Sequence, residues 1–124
     1  GIIDPTKIRE TEYLNVSQLA SIFRQLYNSS YLNIETSEKA LSILEKVEFK
    51  DGLVAGLPEG TKIAHKFGES EVAGLQELHD CGIVYHPKTD YILCILTVGK
   101  DFDSDAKVIA EISKKVYDEV DRVN

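Results

Sequence analysis

The chain has 124 residues, a formal net charge of −7 at pH 7 and a sequence pI near 4.9. This acidic balance argues against a nucleic-acid surface or an anchor for anionic membranes. The length fits one domain, and the 43% hydrophobic and 28% charged residues are ordinary for a globular fold. No apolar run approaches the ~18 residues that a membrane-spanning helix needs.

The start of the chain predicts little regular structure. Residues 1–13 contain Pro5 and a charged run, so we expect a poorly packed segment before a domain that covers residues 14–124. The chain opens at Gly1 and contains no methionine. We therefore expect it to be a piece of a longer protein.

Two helices are predicted next. Asn15 is a favourable N-cap with Gln18 as its capping-box partner. The first apolar stripe consists of Val16, Leu19, Ala20, Phe23, Leu26 and Tyr27. The run Asn28-Ser29-Ser30 ends this helix, and Thr36 caps a second helix. Its inward residues are Ala40, Leu41, Leu44 and Val47, and residues 49–60 form a loop with three glycines.

Three strands are predicted at residues 62–68, 78–85 and 91–98. Residues 69–77 are polar, which predicts an exposed connection, and residues 87–90 form a turn. The last strand is apolar on both faces, which is typical of a central strand covered by helices on both sides.

A final helix is predicted after a cap at residues 101–104. Its buried stripe consists of Ile109, Ile112, Val116, Val120 and Val123. The predicted fold class is therefore α+β, with two N-terminal helices, a three-stranded antiparallel sheet and a C-terminal helix packed on the sheet.

The chain has two cysteines, Cys81 and Cys94, in neighbouring predicted strands. If Tyr85 faces Ile92, the two cysteines are diagonal neighbours, which is a poor geometry for a disulfide. We therefore expect two small buried apolar side chains.

The stretch that indicates a candidate active site is Ile63-Ala64-His65-Lys66-Phe67-Gly68-Glu69. A lysine within a strand is costly unless its ammonium group reaches a partner or a cleft. Gly68 permits close approach of a ligand, and the backbone N–H of Glu69 could then form half of an oxyanion hole. The alternative is an edge-strand lysine that limits aggregation, because Lys-x-Gly is a common pattern.

This stretch resembles the Lys-Thr-Gly strand of class A β-lactamases and related penicillin-recognising serine hydrolases. The approach Gly56-Leu57-Pro58-Glu59-Gly60-Thr61 is similar to that family as well. So are the following strands, residues 78–85 and 91–97, and the helix from Ser104. The resemblance covers roughly residues 14 to 120, but only the C-terminal part of the family's catalytic fold.

The resemblance implies a parent protein that transfers or hydrolyses the acyl group of an amide, ester or β-lactam. It assigns catalytic roles to Lys66, Gly68 and Glu69, and substrate contacts to Phe67 and His79. The nucleophile lies outside this chain, so the chain alone is expected to be inactive. The resemblance also suggests a secreted or cell-envelope location for the parent.

The expected partners follow from the same resemblance. They are the missing N-terminal part of the parent domain and a small-molecule or peptide-like acyl substrate. Self-association is also expected, because a sheet cut from a larger one leaves an unpaired edge. No cofactor is expected, and no Cys/His spacing fits a zinc site. Adjacent strand residues point to opposite faces, so His79-Asp80 is not expected to form a catalytic dyad.

Two features differ from the family pattern. Phe67 stands where the family has a Thr or Ser hydroxyl that helps to hold a substrate carboxylate. The Ser-x-x-Lys and Ser-Asp-Asn motifs are both absent upstream of Lys66. The run Ser104-Asp105-Ala106-Lys107 matches Ser-x-x-Lys but follows the strand, so we interpret Ser104 as an N-cap. A non-catalytic binding or interaction domain that kept the sheet therefore stays the alternative.

Overall fold

A computed structural model describes residues 15–30 and 32–124, so the predicted N-terminal segment of residues 1–13 lies outside the described residues. The elements, in chain order, are α1 (Val16–Asn28), α2 (Ile34–Leu44), a 3₁₀ turn (Leu53–Gly56), β1 (Ile63–Val72), β2 (Leu75–Tyr85), β3 (Asp90–Gly99) and α3 (Phe102–Val123). The predicted α+β class is confirmed. No helix in the described part of the chain is both long enough and apolar enough to span a membrane.

Helix α1 begins as the sequence predicts. The side chain of Asn15 accepts from the backbone N–H of Gln18, and the Gln18 side chain accepts from the Asn15 N–H, both at 2.8 Å. Phe23 is buried, but Tyr27 is 48% exposed, so its place in the inward stripe is wrong. The Tyr27 hydroxyl instead donates to the Asp90 carboxylate on the sheet at 2.8 Å. The helix ends at Ser29, which adopts a left-handed conformation.

The N-cap of helix α2 lies three residues before the predicted cap. Asn33 is the N-cap, because its side chain accepts from the Thr36 backbone N–H at 2.8 Å. The prediction of Thr36 as the cap is therefore wrong, since Thr36 lies within the first turn. Leu41 is buried as expected, and Ser37, one turn earlier, is buried beside it.

The β1–β2 hairpin is longer than predicted. The exposed connection expected at residues 69–77 is wrong, because both strands continue until Val72 pairs with Leu75. The two turn residues, Ala73 and Gly74, have φ angles of 52° and 79°. Positive φ at both positions is what a tight two-residue hairpin requires. The sequence is polar here because this end of the hairpin is exposed, not because the strands have ended.

The register between β2 and β3 corrects the cysteine prediction. Tyr85 pairs with Asp90, so Ile92 lies opposite Ile83 rather than Tyr85. This shift places Cys81 directly opposite Cys94, and the two form a disulfide across the strands. The expected diagonal arrangement is therefore wrong, because the turn that sets the register was placed incorrectly.

Strand β3 lies at one edge of the described sheet, whose order is β1-β2-β3. The prediction that it is a central strand is therefore wrong for the described residues. The expected cover on both faces is correct, because Ile95 packs in the core under α3 and Ile92 packs in the core under α1. Apolar residues on both faces of a strand indicate that both faces are covered, and do not fix its place in the strand order.

The sheet separates two apolar clusters. The cluster on the α3 side contains Leu53, Ile63, Leu78, Val84, Ile95, Ala106 and Ile109. The cluster on the α1 side contains Phe23, Leu41, Ala64, Cys81 and Ile83. Alternate residues of each strand therefore face different helices, as the pleat requires.

Helix α3 is rotated relative to the predicted stripe. Ile109 is buried, but Ile112 is 38% and Val123 is 58% exposed, so these two are wrong as core residues. The buried side instead includes Ser113, whose hydroxyl donates to the Leu53 carbonyl at 2.8 Å. Gly56 lies against the same side, where an added Cβ would clash with the helix backbone. The 3₁₀ turn therefore packs closely against the buried side of the helix.

Candidate functional site

Strand alternation brings three of the predicted site residues to one face of the sheet. Ala64 and Cys81 pack under α1, so Lys66 and Gly68 lie on that same face of β1. His79 is two residues from Cys81 on β2 and pairs with Gly68 in the antiparallel ladder. The predicted lysine, glycine and histidine thus lie on one common surface.

The surface extends beyond α1 toward the hairpin turn. We call it the Lys66 face, and it consists of Lys66, Gly68, Ser70, Val72, Leu75, Glu77, His79, Leu96 and Val98. The four large apolar side chains in this set, at positions 72, 75, 96 and 98, are between 43% and 56% exposed. The Ser70 hydroxyl donates to the Glu77 carboxylate at 3.1 Å. The Lys66 face is therefore open and partly apolar around its charged groups.

Lys66 is exposed on β1, the other edge strand of the described sheet. Its ammonium group donates to the Phe67 carbonyl at 2.9 Å and lies 5.6 Å from the centre of the Phe67 ring. The charge therefore stays in water with a backbone acceptor, which removes the cost expected for a buried lysine. Its catalytic role and the alternative of an edge-strand lysine both remain compatible with this position.

Gly68 lies under the imidazole ring of His79. A Cβ at position 68 would overlap the ring, with the Nε2 atom 2.7 Å away. Burial lowers the pKa of the half-buried His79, and the nearby Lys66 ammonium lowers it further. Asp80 and Glu77 act in the opposite direction. The Lys66 face thus carries a lysine cation beside a histidine that favours its neutral form.

Phe67 and Glu69 have their side chains on the opposite side of β1. The Phe67 ring packs at 4.3 Å from the Phe49 ring, beside the core under α3. It therefore points away from the Lys66 face, and its role as a substrate contact stays a prediction. Glu69 pairs with Leu78, and the proposed role of its backbone N–H stays a prediction too.

A buried polar network behind the site was not predicted. His65 and Asp80 are 1% and 0% exposed, and the His65 Nδ1 atom lies 2.9 Å from the Asp80 Oδ1 atom. The other Asp80 oxygen accepts from the backbone N–H of Leu53 at 3.0 Å. The network joins β1, β2 and the 3₁₀ turn. A polar residue in each of two apolar strands was the only sequence signal for it.

The same network explains the direction in which the Asp80 side chain points. Its carboxylate faces α3, whereas the neighbouring His79 ring faces the other way. The prediction that His79 and Asp80 do not form a dyad is therefore confirmed. Among the described residues, no group of three or more His, Cys, Asp or Glu side chains is arranged to hold a metal ion.

Ser104 does not join the Lys66 face. It lies on α3, which packs on the opposite side of the sheet. It is also not the helix cap, because the Asp101 carboxylate accepts from its backbone N–H at 2.8 Å. The interpretation of Ser104 as the N-cap is therefore wrong by three residues.

Comparison with known proteins decides the family. The sequence model of the beta-lactamase enzyme family matches residues 3–120. The chain belongs to the beta-lactamase enzyme family. A search among curated proteins finds no match.

Solved structures of beta-lactamases and of PBP-A share this fold. PBP-A is 21% identical with a TM-score of 0.70, over 85% of this chain and 39% of its own. The chromosome-encoded beta-lactamase of Vibrio parahaemolyticus is 13% identical with a TM-score of 0.72, over 86% and 41%. An ancestral class A beta-lactamase is 21% identical with a TM-score of 0.67, over 83% and 40%.

The identities are low, so these structures show a common fold. The resemblance to class A β-lactamases that the sequence predicts is confirmed. This beta-lactamase-family chain spans about two fifths of the length of the solved structures it matches.

Proposed function

We propose that this chain supplies the Lys-x-Gly side of the active site of a serine hydrolase. The reaction is transfer or hydrolysis of the acyl group of an amide, an ester or a β-lactam. The observation that supports it is the Lys66 face, where Lys66, Gly68 and His79 lie together on an open surface. The family match supports the interpretation of this arrangement as one side of an active site.

Each of these residues has a task that fits acyl transfer. The Lys66 ammonium attracts an anionic substrate group and favours the ionised form of a nearby hydroxyl. The backbone at Gly68 and Glu69 offers an N–H to the oxygen of the tetrahedral intermediate. The nucleophilic serine comes from the rest of the full-length protein, because no Ser-x-x-Lys precedes Lys66 here.

The proposed partner is the N-terminal part of the same domain. Exposed apolar side chains on the Lys66 face, such as Leu96 and Val98, are suited to contact with another part of the protein. The solved structures in the comparison are more than twice as long as the matched region. We propose that the nucleophile reaches Lys66 from this added part.

A non-catalytic binding domain is the second proposal. Phe67 favours it, because this position carries no hydroxyl and its ring is used in packing against Phe49. A domain that kept the sheet for stability and lost the acyl chemistry would have this property. The two proposals differ in whether the full-length protein turns over acyl substrates.

The test compares the 124-residue chain with the full-length protein. A chromogenic β-lactam and a nitrophenyl ester are the substrates. We expect turnover by the full-length protein, none by the chain alone, and a loss of about 100-fold in Lys66→Ala. Lys39→Ala, at an exposed position on α2, is the matched control and should keep full activity. An inactive full-length protein would favour the binding domain.

A further inference from the structure

The Cys81–Cys94 disulfide lies beside the Lys66 face. Cys81 pairs with Lys66 on β1 and with Cys94 on β3, so the three residues form one row across the sheet. The next pair along this side of the sheet is His79 with Leu96, and both belong to the Lys66 face. A chemical change at the disulfide would therefore take place directly beside the candidate site.

The two sulfur atoms differ in how well a reagent can reach them. Cys81 lies on the central strand of the described sheet and is 1% exposed. Cys94 lies on the edge strand β3 and is partly exposed, although its side chain also packs against the apolar cluster under α1. Access is one of the factors that decide which sulfur of a disulfide is attacked. We therefore expect an incoming thiolate to reach Cys94 before Cys81.

The pairing of β2 with β3 extends well beyond the two cysteines. The ladder runs from Tyr85, which lies opposite Asp90, to Gln76 at its other end. Cys81 is also part of the apolar cluster under α1, where a reduced cysteine behaves as a small apolar side chain. The same sheet is therefore compatible with the oxidised and the reduced state of the pair.

We propose that the Cys81–Cys94 disulfide is a site of thiol–disulfide exchange whose reactants are small thiols and dithiols. The thiolate of the reactant attacks the Cys94 sulfur, the bond between the two cysteines breaks, and the Cys81 sulfur leaves with the electron pair and takes up a proton. The second thiolate of a dithiol then attacks the reactant's own sulfur in the mixed disulfide, which releases Cys94. The chain gains two electrons and two protons, and the dithiol that loses them becomes a disulfide.

The inference goes beyond the proposed function, because exchange needs neither a nucleophilic serine nor an acyl substrate. It makes the side of the sheet that carries Lys66 sensitive to the redox state of its surroundings. In the oxidised state the edge strand β3 is joined covalently to β2 at this point. In the reduced state only the ladder and side-chain packing hold it there. We therefore expect the β3 amides to exchange faster with solvent after reduction.

The first experiment treats the 124-residue chain with dithiothreitol at neutral pH without denaturant. Samples taken over time are unfolded in urea with excess iodoacetamide, and the intact mass gives the number of thiols. NMR spectra of the same sample record the β2 and β3 amides and the His79 ring. We expect full reduction with a folded spectrum, a shift of the His79 ring signals, faster exchange of the β3 amides, and recovery of the starting spectrum on reoxidation.

Two results of this experiment would overturn the inference. One is reduction that proceeds only at the rate of global unfolding, measured by hydrogen exchange, because the disulfide would then be closed to thiols in the folded chain. The other is an air-oxidised chain in which both cysteines still react with iodoacetamide. The experiment needs no variant, so it decides the inference even where a variant fails to fold.

The second experiment tests which sulfur reacts. Cys81→Ala leaves Cys94 as the only thiol, and Cys94→Ala leaves Cys81. Each variant is incubated with glutathione disulfide, and the intact mass follows formation of the mixed disulfide. We expect Cys94 to react at least about tenfold faster than Cys81 in the folded variants, and both to react at similar rates in urea. Equal rates in the folded variants, or a faster reaction of Cys81, would contradict the assignment of Cys94 as the attacked sulfur.

Discussion

The two faces of the sheet are built for different purposes. Under α3, two polar pairs are buried: His65 and Asp80 contact each other, and Ser113 donates to Leu53. On the other face α1 covers only part of the sheet, and the Lys66 face beyond it is exposed. Because successive residues of each strand face opposite sides of the sheet, the same strands supply buried polar contacts on one side. On the other side they supply a surface that is available to a ligand or partner.

Breaking the buried network should have the largest effect on stability. Asp80→Ala leaves the Leu53 N–H and the His65 ring without their acceptor in a fully buried site. Each unsatisfied buried group costs about 1–3 kcal/mol, so we expect a loss of about 3 kcal/mol in the free energy of unfolding. Urea denaturation measures it, with Glu71→Ala on the exposed hairpin as the control. An equal, small loss in both variants would contradict the assigned role.

Two glycine substitutions compare the faces directly. Gly56→Ala drives a Cβ into the backbone of α3, which cannot move locally, and should cost about 1–3 kcal/mol. Gly68→Ala meets only the half-exposed His79 side chain, so it should cost less than about 1 kcal/mol. The same denaturation experiment ranks them. A larger loss for Gly68→Ala would mean that the Lys66 face is as tightly packed as the α3 side.

The chain alone is predicted to self-associate. The outer edge of β3 has no partner strand in the described sheet, and Leu96 and Val98 beside it are exposed. Unpaired edges and apolar surface favour pairing with a second copy. Sedimentation should show a dimer that Leu96→Lys weakens, whereas Ile34→Lys on α2 should not. A monomer at every concentration would rule this out.

The smallest expected effect is a pH dependence of stability from His79. Its folded-state pKa is lowered, so below about pH 6.5 the unfolded chain takes up a proton that the folded chain does not. The free energy of unfolding therefore falls as pH decreases from about 6.5 to the folded-state pKa of His79. Above about pH 6.5, His79 has no effect on it. His79→Gln should flatten this part of the profile, measured by thermal unfolding against pH. If the profiles of His79→Gln and the wild type are parallel, groups other than His79 cause the decline in stability.

The sequence predicts what is decided locally. The capping box at Asn15 and Gln18 lies within four consecutive residues, and it was found correctly. The alternation that groups Lys66 with Gly68 is also local to one strand. The number, type and order of the main elements follow from such patterns.

Features that depend on distant residues were not predictable in this way. The register that pairs Cys81 with Cys94 depends on where the preceding turn begins. The buried side of α3 packs closely on Gly56, which is far away in the chain. The His65–Asp80 contact joins residues 15 apart in sequence and appears only once the strands are paired. Each of these is decided by tertiary packing.

The central claim is that the Lys66 face belongs to an acyl-transfer site. Its most direct test is intact-mass analysis of the full-length protein after incubation with benzylpenicillin or an activated ester. We predict one covalent acyl adduct on a serine outside residues 1–124, formed much more slowly in Lys66→Ala and normally in Lys39→Ala. An adduct on Ser104, or one that forms equally fast without Lys66, would contradict the account.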